Sequence, residues 1–187
     1  MNDADPASLD EQLVRARSGE RAALAALIRA HQRSVYSLAL RMLGTRDLAE
    51  DLTQDVFMQL NSHVKVIESS AHLGFWLRQV TTHRAIDQLR RRSRLEMTSL
   101  EDAAPLFSTA DGADPLLQRH LRALLSELSP PARAVLLLRY QEDLDPTDIA
   151  RTLDMPIDTV KSHLKRSLDL LRRNTPGAAP AWQGEST

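Results

Sequence analysis

The chain has 187 residues, 42% of them hydrophobic and only 4% aromatic, with no cysteine and a formal net charge of −1. Disulfides and thiolate metal centres are excluded, and any core is aliphatic and sized for one or two domains. No apolar run reaches the ~18 residues of a membrane helix, and so balanced a total nominates no partner; charge has to be read along the chain.

Few glycines and prolines and rare β-branched runs favour helices over sheets. The N-terminus, MNDADPASLDEQ, is acidic and polar, unlike a secretory signal. Leu9 to Arg17 predicts a short helix. Glu20 to Leu43 predicts a longer one, with Leu24, Leu27, Ile28, His31, Val35, Leu38, Ala39 and Met42 at helical spacing and Gly44 just past its end.

Asp47 is expected to open a third helix, with Glu50 completing an Asp-x-x-Glu capping pattern. Asp47, Glu50, Asp51, Gln54 and Asp55 fall at i, i+3, i+4, i+7 and i+8 and share one face, opposite Leu48, Leu52, Val56 and Leu60. Acids near a helix N-terminus are ordinarily solvated and favoured by its dipole. The functional alternative is a docking face for a basic partner. Thr53, beside that face, is a candidate for phosphorylation.

A polar stretch, NSHVKVIESSAH, leads to a helix over LGFWLRQVTTHRAIDQLRRRSR, with Trp76 near its start. Its Leu77, Val80, Ile86 and Leu89 do not form a single stripe, as expected of a helix buried on more than one side. From Trp76 to Arg94 it carries Arg78, Arg84, Arg90, Arg91, Arg92 and Arg94 against one acid, Asp87. An aromatic beside cations is how proteins hold unstacked bases. A core Trp with a solvated basic helix end is the other reading.

Leu95 to Asp114 lacks helical periodicity, carries acids and no cation, and reads as a linker. Asp114-Pro115, Ser129-Pro130 and Asp145-Pro146 each pair an N-cap with proline at the first helical position. They predict a helix with Leu117, Leu121, Leu124, Leu125 and Leu128, then PPARAVLLLRY, then PTDIARTL. After a break at DMP comes TVKSHLKRSLDLLRR. At about 100° per residue, Ile157, Val160, Leu164, Leu168 and Leu171 cluster in one arc. Thr159, Ser162, Arg166 and Arg173 lie opposite, with Asp158, His163 and Lys165 toward the flanks.

An ordinary amphipathic surface helix shows the same stripe. The capped helix before it, the short turn and the hydroxyl-bearing face favour a helix-turn-helix that enters a major groove. Arg and Lys suit phosphates and guanine edges, while Ser and Thr permit close approach. The expected architecture is all-α: a helical bundle over 9–94, an extended acidic linker over 95–115, a helix-turn-helix domain over 116–173 and a frayed tail over 174–187. The six histidines lack metal-ligand spacing, and no glycine-rich phosphate loop or Ser/His/acid set is found. No enzyme, metal or cofactor is expected.

Together these pieces resemble bacterial RNA polymerase sigma factors of the extracytoplasmic-function group, from about Leu13 to Arg173. DLAEDLTQDVF resembles the acidic core-binding helix of sigma region 2. FWLRQVTTHRAIDQLRRR resembles the helix that opens and reads the minus-ten element. LSPPARAVLLLRYQEDLDPTDIARTLDMPIDTVKSHLKRSLDLLRR resembles region 4, which reads the minus-thirty-five element.

The resemblance implies two partners, promoter DNA and the RNA polymerase core, the latter through its β′ clamp helices and β flap. It assigns core binding to Asp47, Glu50, Asp51, Gln54 and Asp55. It assigns minus-ten binding to Trp76, Arg78, His83, Arg84, Asp87, Arg90 and Arg91, and minus-thirty-five binding to Thr159, Lys161, Ser162, His163, Lys165 and Arg166. The loop from Val64 to His72 would receive a flipped base, and the linker would thread toward the polymerase cleft. A cytoplasmic protein without membrane insertion is implied, with an anti-sigma protein, which can sit at the inner membrane, as a family expectation.

The chain departs from the family pattern at His83, where Asn is usual, and at Ile67-Glu68-Ser69, where a Phe-Arg-Gly-like run is usual. Asp158 and Asp154 stand where Gly is common, and His163 where Arg is frequent. Two rivals remain at this point. A helix-turn-helix regulator acting without polymerase docking leaves the acidic helix idle. A helical sequestering adaptor leaves the face from Thr159 to Arg173 unexplained.

Overall fold

The computed structural model describes residues 6–96 and 123–174. Most of the predicted linker, the Asp114-Pro115 cap, Leu117, Leu121 and the tail beyond Asn174 lie outside them. Four helices form an N-terminal bundle: α1 (Pro6–Arg17), α2 (Arg21–Leu43), α3 (Arg46–His63) and α4 (Ser70–Glu96), with a 3-10 turn at Val64–Val66. A helical turn over 123–126 precedes three more: α5 (Pro130–Tyr140), α6 (Pro146–Leu153) and α7 (Ile157–Asn174). Among the described residues there is no strand. No described helix is long and apolar enough to cross a membrane.

Local chemistry sets most boundaries. Gly44 adopts the left-handed conformation (φ 82) and its amide bonds back to Leu40, ending α2. The connection is so short that Thr45, extended at φ −122, becomes the N-cap of α3. The expected Asp47–Glu50 capping box is therefore not formed. Asp47 is already inside the first turn, where its charge faces the positive end of the dipole. The Asp145 side chain accepts from the Thr147 and Asp148 amides, both at 2.8 Å, with Pro146 at the first helical position, as expected. Asp154 ends α6 at φ 49, a conformation Asp tolerates.

The polar stretch Asn61 to His72 is more ordered than its composition suggests. α3 runs through His63, and Val64 and Ile67 are buried in the core. α4 begins at Ser70, so Trp76 sits in its second turn rather than at its start. Ser69 Oγ accepts from the His72 amide at 3.1 Å, and the Asp10 carboxylate of α1 accepts from the Ser70 amide at 2.6 Å. α4 also continues through Glu96, two residues into the predicted linker.

The core is aliphatic. Leu13, Leu27, Met42, Leu60, Ile67, Leu73, Leu138 and Ile149 are among the fully buried side chains. Each large apolar side chain buried this way contributes about 1.5–3 kcal/mol. α4 is buried on more than one side, as expected: Leu73, Leu77, Ala85 and Ile86 are buried, and so are Thr81 and Thr82. Their hydroxyls donate to the Leu77 and Arg78 carbonyls at 2.7 Å each, which satisfies them inside the helix.

Thr53 is buried as well, and its hydroxyl donates to the Ala49 carbonyl at 2.6 Å. It belongs to the core side of α3 and offers no free hydroxyl to a kinase.

The buried apolar residues of both bundles form one contiguous cluster. α5 packs on α2 and α4, and α6 packs on α4. Arg133 of α5 donates to the Met42 carbonyl at 2.7 Å and to the Leu125 carbonyl at 2.8 Å. It satisfies a last-turn carbonyl of α2 that the helix itself cannot.

Candidate nucleic-acid and protein interfaces

Asp47, Glu50, Asp51, Gln54 and Asp55 are all exposed on one side of α3, while Leu52, Val56 and Leu60 are buried on the other. Asp47, Glu50 and Asp51 make no ion pair among the described residues. Asp55 pairs with Arg84 of α4 at 3.2 Å. The acidic surface is therefore preformed and mostly uncompensated, as a docking face for cations needs to be.

α3 and α4 run antiparallel along a shared seam. Arg84 Nε and Nη2 donate to Gln59 Oε1 at 3.1 and 2.8 Å. Farther along, His63 stacks on Trp76, ring centroids 5.5 Å apart and planes tilted by 31°. Asp51, Asp55, Asp87, Arg84 and Arg91 line a groove between the two helices. The structure thus brings Arg84, Asp87 and Arg91 together with the acidic helix. Arg90 is exposed farther along α4, and His83 is half-buried.

Arg78 stands apart from the other cations of α4. It lines a cavity of about 100 Å³ with His31 and Leu38 of α2 and Glu142, which follows α5. Its Nε and His31 Nε2 are buried with no hydrogen-bond partner. Burial holds the His31 pKa below its ordinary value, with Arg78 adding to the effect. Burial raises Glu142, although Arg78 and Arg41 pull the other way.

On α7, Val160 is fully buried and Leu164, Leu168 and Leu171 pack against the core, while Ile157 is 37% exposed. Thr159, Lys161, Ser162, Lys165 and Arg166 are exposed on the outward side. His163 is half-buried, and burial followed by Arg166 lowers its pKa from the ordinary histidine value. α6 and α7 meet across the Asp154 turn, giving the helix-turn-helix its rigid corner.

Several residues escaped the sequence reading. Gln59 and His63 continue the α3 face at steps of four from Asp55, so helical spacing held that signal. Arg133, Gln141 and Glu142 meet residues of α2 and α4 that are far away in the chain, and no local pattern marks them.

The family model for Sigma-70 region 2 matches residues 27–95, and that for Sigma-70, region 4, matches residues 118–171. The ECF RNA polymerase sigma factor SigL of Mycobacterium tuberculosis is 34% identical over 164 residues, covering 83% of this chain and 92% of the relative. The ECF RNA polymerase sigma factor SigE of Mycolicibacterium smegmatis is 33% identical over 164 residues, 83% of this chain but only 63% of that longer relative. Among solved structures, the sigma factor RpoE in complex with the anti-sigma factor NepR from Bartonella quintana superposes with a TM-score of 0.67. At 21% identity, over 81% of this chain and 96% of that one, the likeness is one of fold.

Proposed function

The chain belongs to the ECF RNA polymerase sigma factors, and from that membership we propose how its surfaces divide the work of promoter-specific initiation with the polymerase core. The α3 face of Asp47, Glu50, Asp51, Gln54 and Asp55 docks on the β′ clamp helices. Trp76, Arg78, His83, Arg84, Asp87, Arg90 and Arg91 of α4 serve the minus-ten element. Thr159, Lys161, Ser162, His163, Lys165 and Arg166 of α7 read minus-thirty-five duplex.

What carries the reading is that one chain holds both an exposed carboxylate face, paired only at Asp55 among the described residues, and an exposed cation-and-hydroxyl face on the second helix of a helix-turn-helix. A regulator needs only the second and an adaptor only the first.

The protein acts by binding. It stabilises an opened strand and an extruded base, and it makes or breaks no bond itself. The α7 face contributes charge neutralisation through Lys161, Lys165 and Arg166, with Thr159 and Ser162 small enough to approach base edges. The domain limits of 9–94 and 116–173, with the intervening segment threading the polymerase cleft, belong to the same proposal. So do a cytoplasmic location, contact with the β flap, and an anti-sigma protein as a further partner.

Transcription in vitro with purified core polymerase on fragmented genomic DNA, with start sites mapped, tests the reading. RNA chains starting at defined positions only when the protein is present are expected. Starts that do not depend on it would remove the reading.

A further inference from the structure

An apolar tip stands in the middle of the acidic face. Met58 is 65% exposed on α3, the helix that carries Asp47, Glu50, Asp51, Gln54 and Asp55. At about 100° per residue it falls about 20° from Asp47, with Gln54 and Glu50 on one side and Asp51 and Asp55 on the other. Its neighbours one turn away, Gln54, Asp55, Asn61 and Ser62, are all polar and exposed, so α3 itself offers it no apolar cover.

Single exposed hydrophobic residues are common on protein surfaces. Position separates this one. The other large apolar side chains exposed among the described residues are Val14, Val66, Tyr140 and Ile157, and none of them lies on α3. Protein interfaces concentrate affinity in anchors near the centre, with polar groups at the rim, and methionine is enriched in them. Around Met58 that plan is already laid out. One unbranched, adaptable thioether sits inside an arc of carboxylates, of which only Asp55 is paired among the described residues.

We propose that Met58 is the apolar anchor of the polymerase-docking face and the point at which oxidation releases it. The inference rests on the functional reading above and extends it to the chemistry of the partner: the β′ clamp helices offer cations set around an apolar seat. The carboxylates steer the encounter and weaken with salt. The Met58 contact is burial of apolar surface and does not depend on charge.

The chain has no cysteine, so thioethers are its oxidisable sulfur. Met42 is fully buried and Met155 packs against the core, which leaves Met58 as the exposed thioether among the described residues. Hydrogen peroxide transfers one oxygen to that sulfur. A sulfur lone pair forms the S–O bond, the O–O bond breaks, the thioether is oxidised to the sulfoxide and the peroxide is reduced to water. The product is polar where the partner offers an apolar seat, so an oxidised chain docks weakly. A methionine sulfoxide reductase, drawing on a thiol reductant, removes the oxygen again.

Affinity of the full chain for purified polymerase core, measured at several salt concentrations, tests the anchor. Met58→Ala should lower it about fivefold to thirtyfold with the salt slope of the native protein. Met58→Leu, apolar but without sulfur, should recover most of the loss. Thermal melts should place both variants within about 2 °C of the native protein, since the side chain is exposed. Native affinity in Met58→Ala, or a loss carried by a changed salt slope, would overturn the anchor.

Hydrogen peroxide tests the release. Oxidation of native protein, with the added oxygen located at Met58 by peptide mass, should cut core affinity as far as Met58→Ala does. Treatment with methionine sulfoxide reductases for both epimers and dithiothreitol should restore it. Met58→Leu carried through the same oxidation controls for the other methionines and should lose nothing further. An equal loss in native and Met58→Leu protein would overturn release through Met58, and so would an undiminished affinity in native protein oxidised at that residue. Untreated native protein with no affinity for core would instead remove the functional reading on which the anchor rests.

Discussion

Arg84 of α4 is held by Gln59 of α3 through two hydrogen bonds, at 3.1 and 2.8 Å, and is paired with Asp55 at 3.2 Å. Its charge is therefore partly neutralised before any DNA arrives. Arg90 is exposed and has no acidic partner among the described residues. The two should behave differently although one helix carries both. Arg90→Ala should weaken promoter binding and flatten the plot of log affinity against log salt by about 0.7–0.9. Arg84→Ala should flatten it less and cost about 0.5–1 kcal/mol of stability, because the pair is partly exposed. Salt titrations of holoenzyme on a promoter fragment, with urea melts of the free protein, separate the two effects. Equal slopes for both variants would count against this distinction.

Asp51 is exposed in the middle of the acidic face and pairs with nothing among the described residues. Nothing in the fold depends on its charge. Asp51→Lys should leave the melting temperature within about 2 °C of the native value, as is usual for surface changes. It places a cation where a basic partner is expected and should cut core affinity by about tenfold or more. A variant that binds core normally would remove Asp51 from the docking face.

The legible parts of this protein were those set by short-range physics. The α3 face could be read because i, i+4 spacing places Asp47, Asp51 and Asp55 together whatever surrounds the helix. The corner between α6 and α7 could be read because Asp145-Pro146 and Asp154 carry their own backbone preferences. The start of α3 was misplaced because Asp47 and Thr45 are both plausible caps, and the short connection after Gly44 decided between them. The polar stretch after α3 hid its order because two buried side chains, Val64 and Ile67, anchor it among exposed neighbours. By sequence Arg78 is one cation of a basic helix. Its enclosure depends on Glu142, and a contact across 64 residues leaves no periodic trace.

His31 gives stability a pH dependence whose sign follows from burial. The imidazole lies on the apolar face of α2, its Nε2 has no partner, and Arg78 is the charged neighbour on α4. Burial first and Arg78 second lower its pKa in the folded state from 6.5. Below that value the unfolded chain takes up a proton that the folded chain resists. The contribution is therefore complete above pH 6.5 and is lost as pH falls toward the depressed value. Glu142, raised by burial from 4.5, works in the opposite sense, and half-buried His163 works in the same sense as His31. Comparing native protein with His31→Gln cancels both. Urea melts at pH 7.5 and 5.5 should show a larger acid loss in the native protein than in the variant. Equal losses would mean that His31 titrates normally in the fold.

Asp145 lies outside the proposed DNA face, yet it sets the entry to the helix-turn-helix. Its carboxylate takes the Thr147 and Asp148 amides at 2.8 Å each, fixing the first turn of α6. The rest of that helix then seats Ile149 and Leu153 in the core and delivers the Asp154 turn into α7. Asp145→Ala should cost about 1 kcal/mol, the usual loss for an N-cap, and Asp145→Asn should restore most of it. Because no phosphate contact is removed, promoter affinity should fall without any change in salt slope. Arg166→Ala should do the reverse, leaving stability nearly unchanged and lowering the slope by about one. Measuring melting temperature and salt slope for the three variants distinguishes a residue that places α7 from one that touches DNA. A reduced slope in Asp145→Ala would show that this carboxylate, or the geometry it fixes, governs phosphate contacts as well.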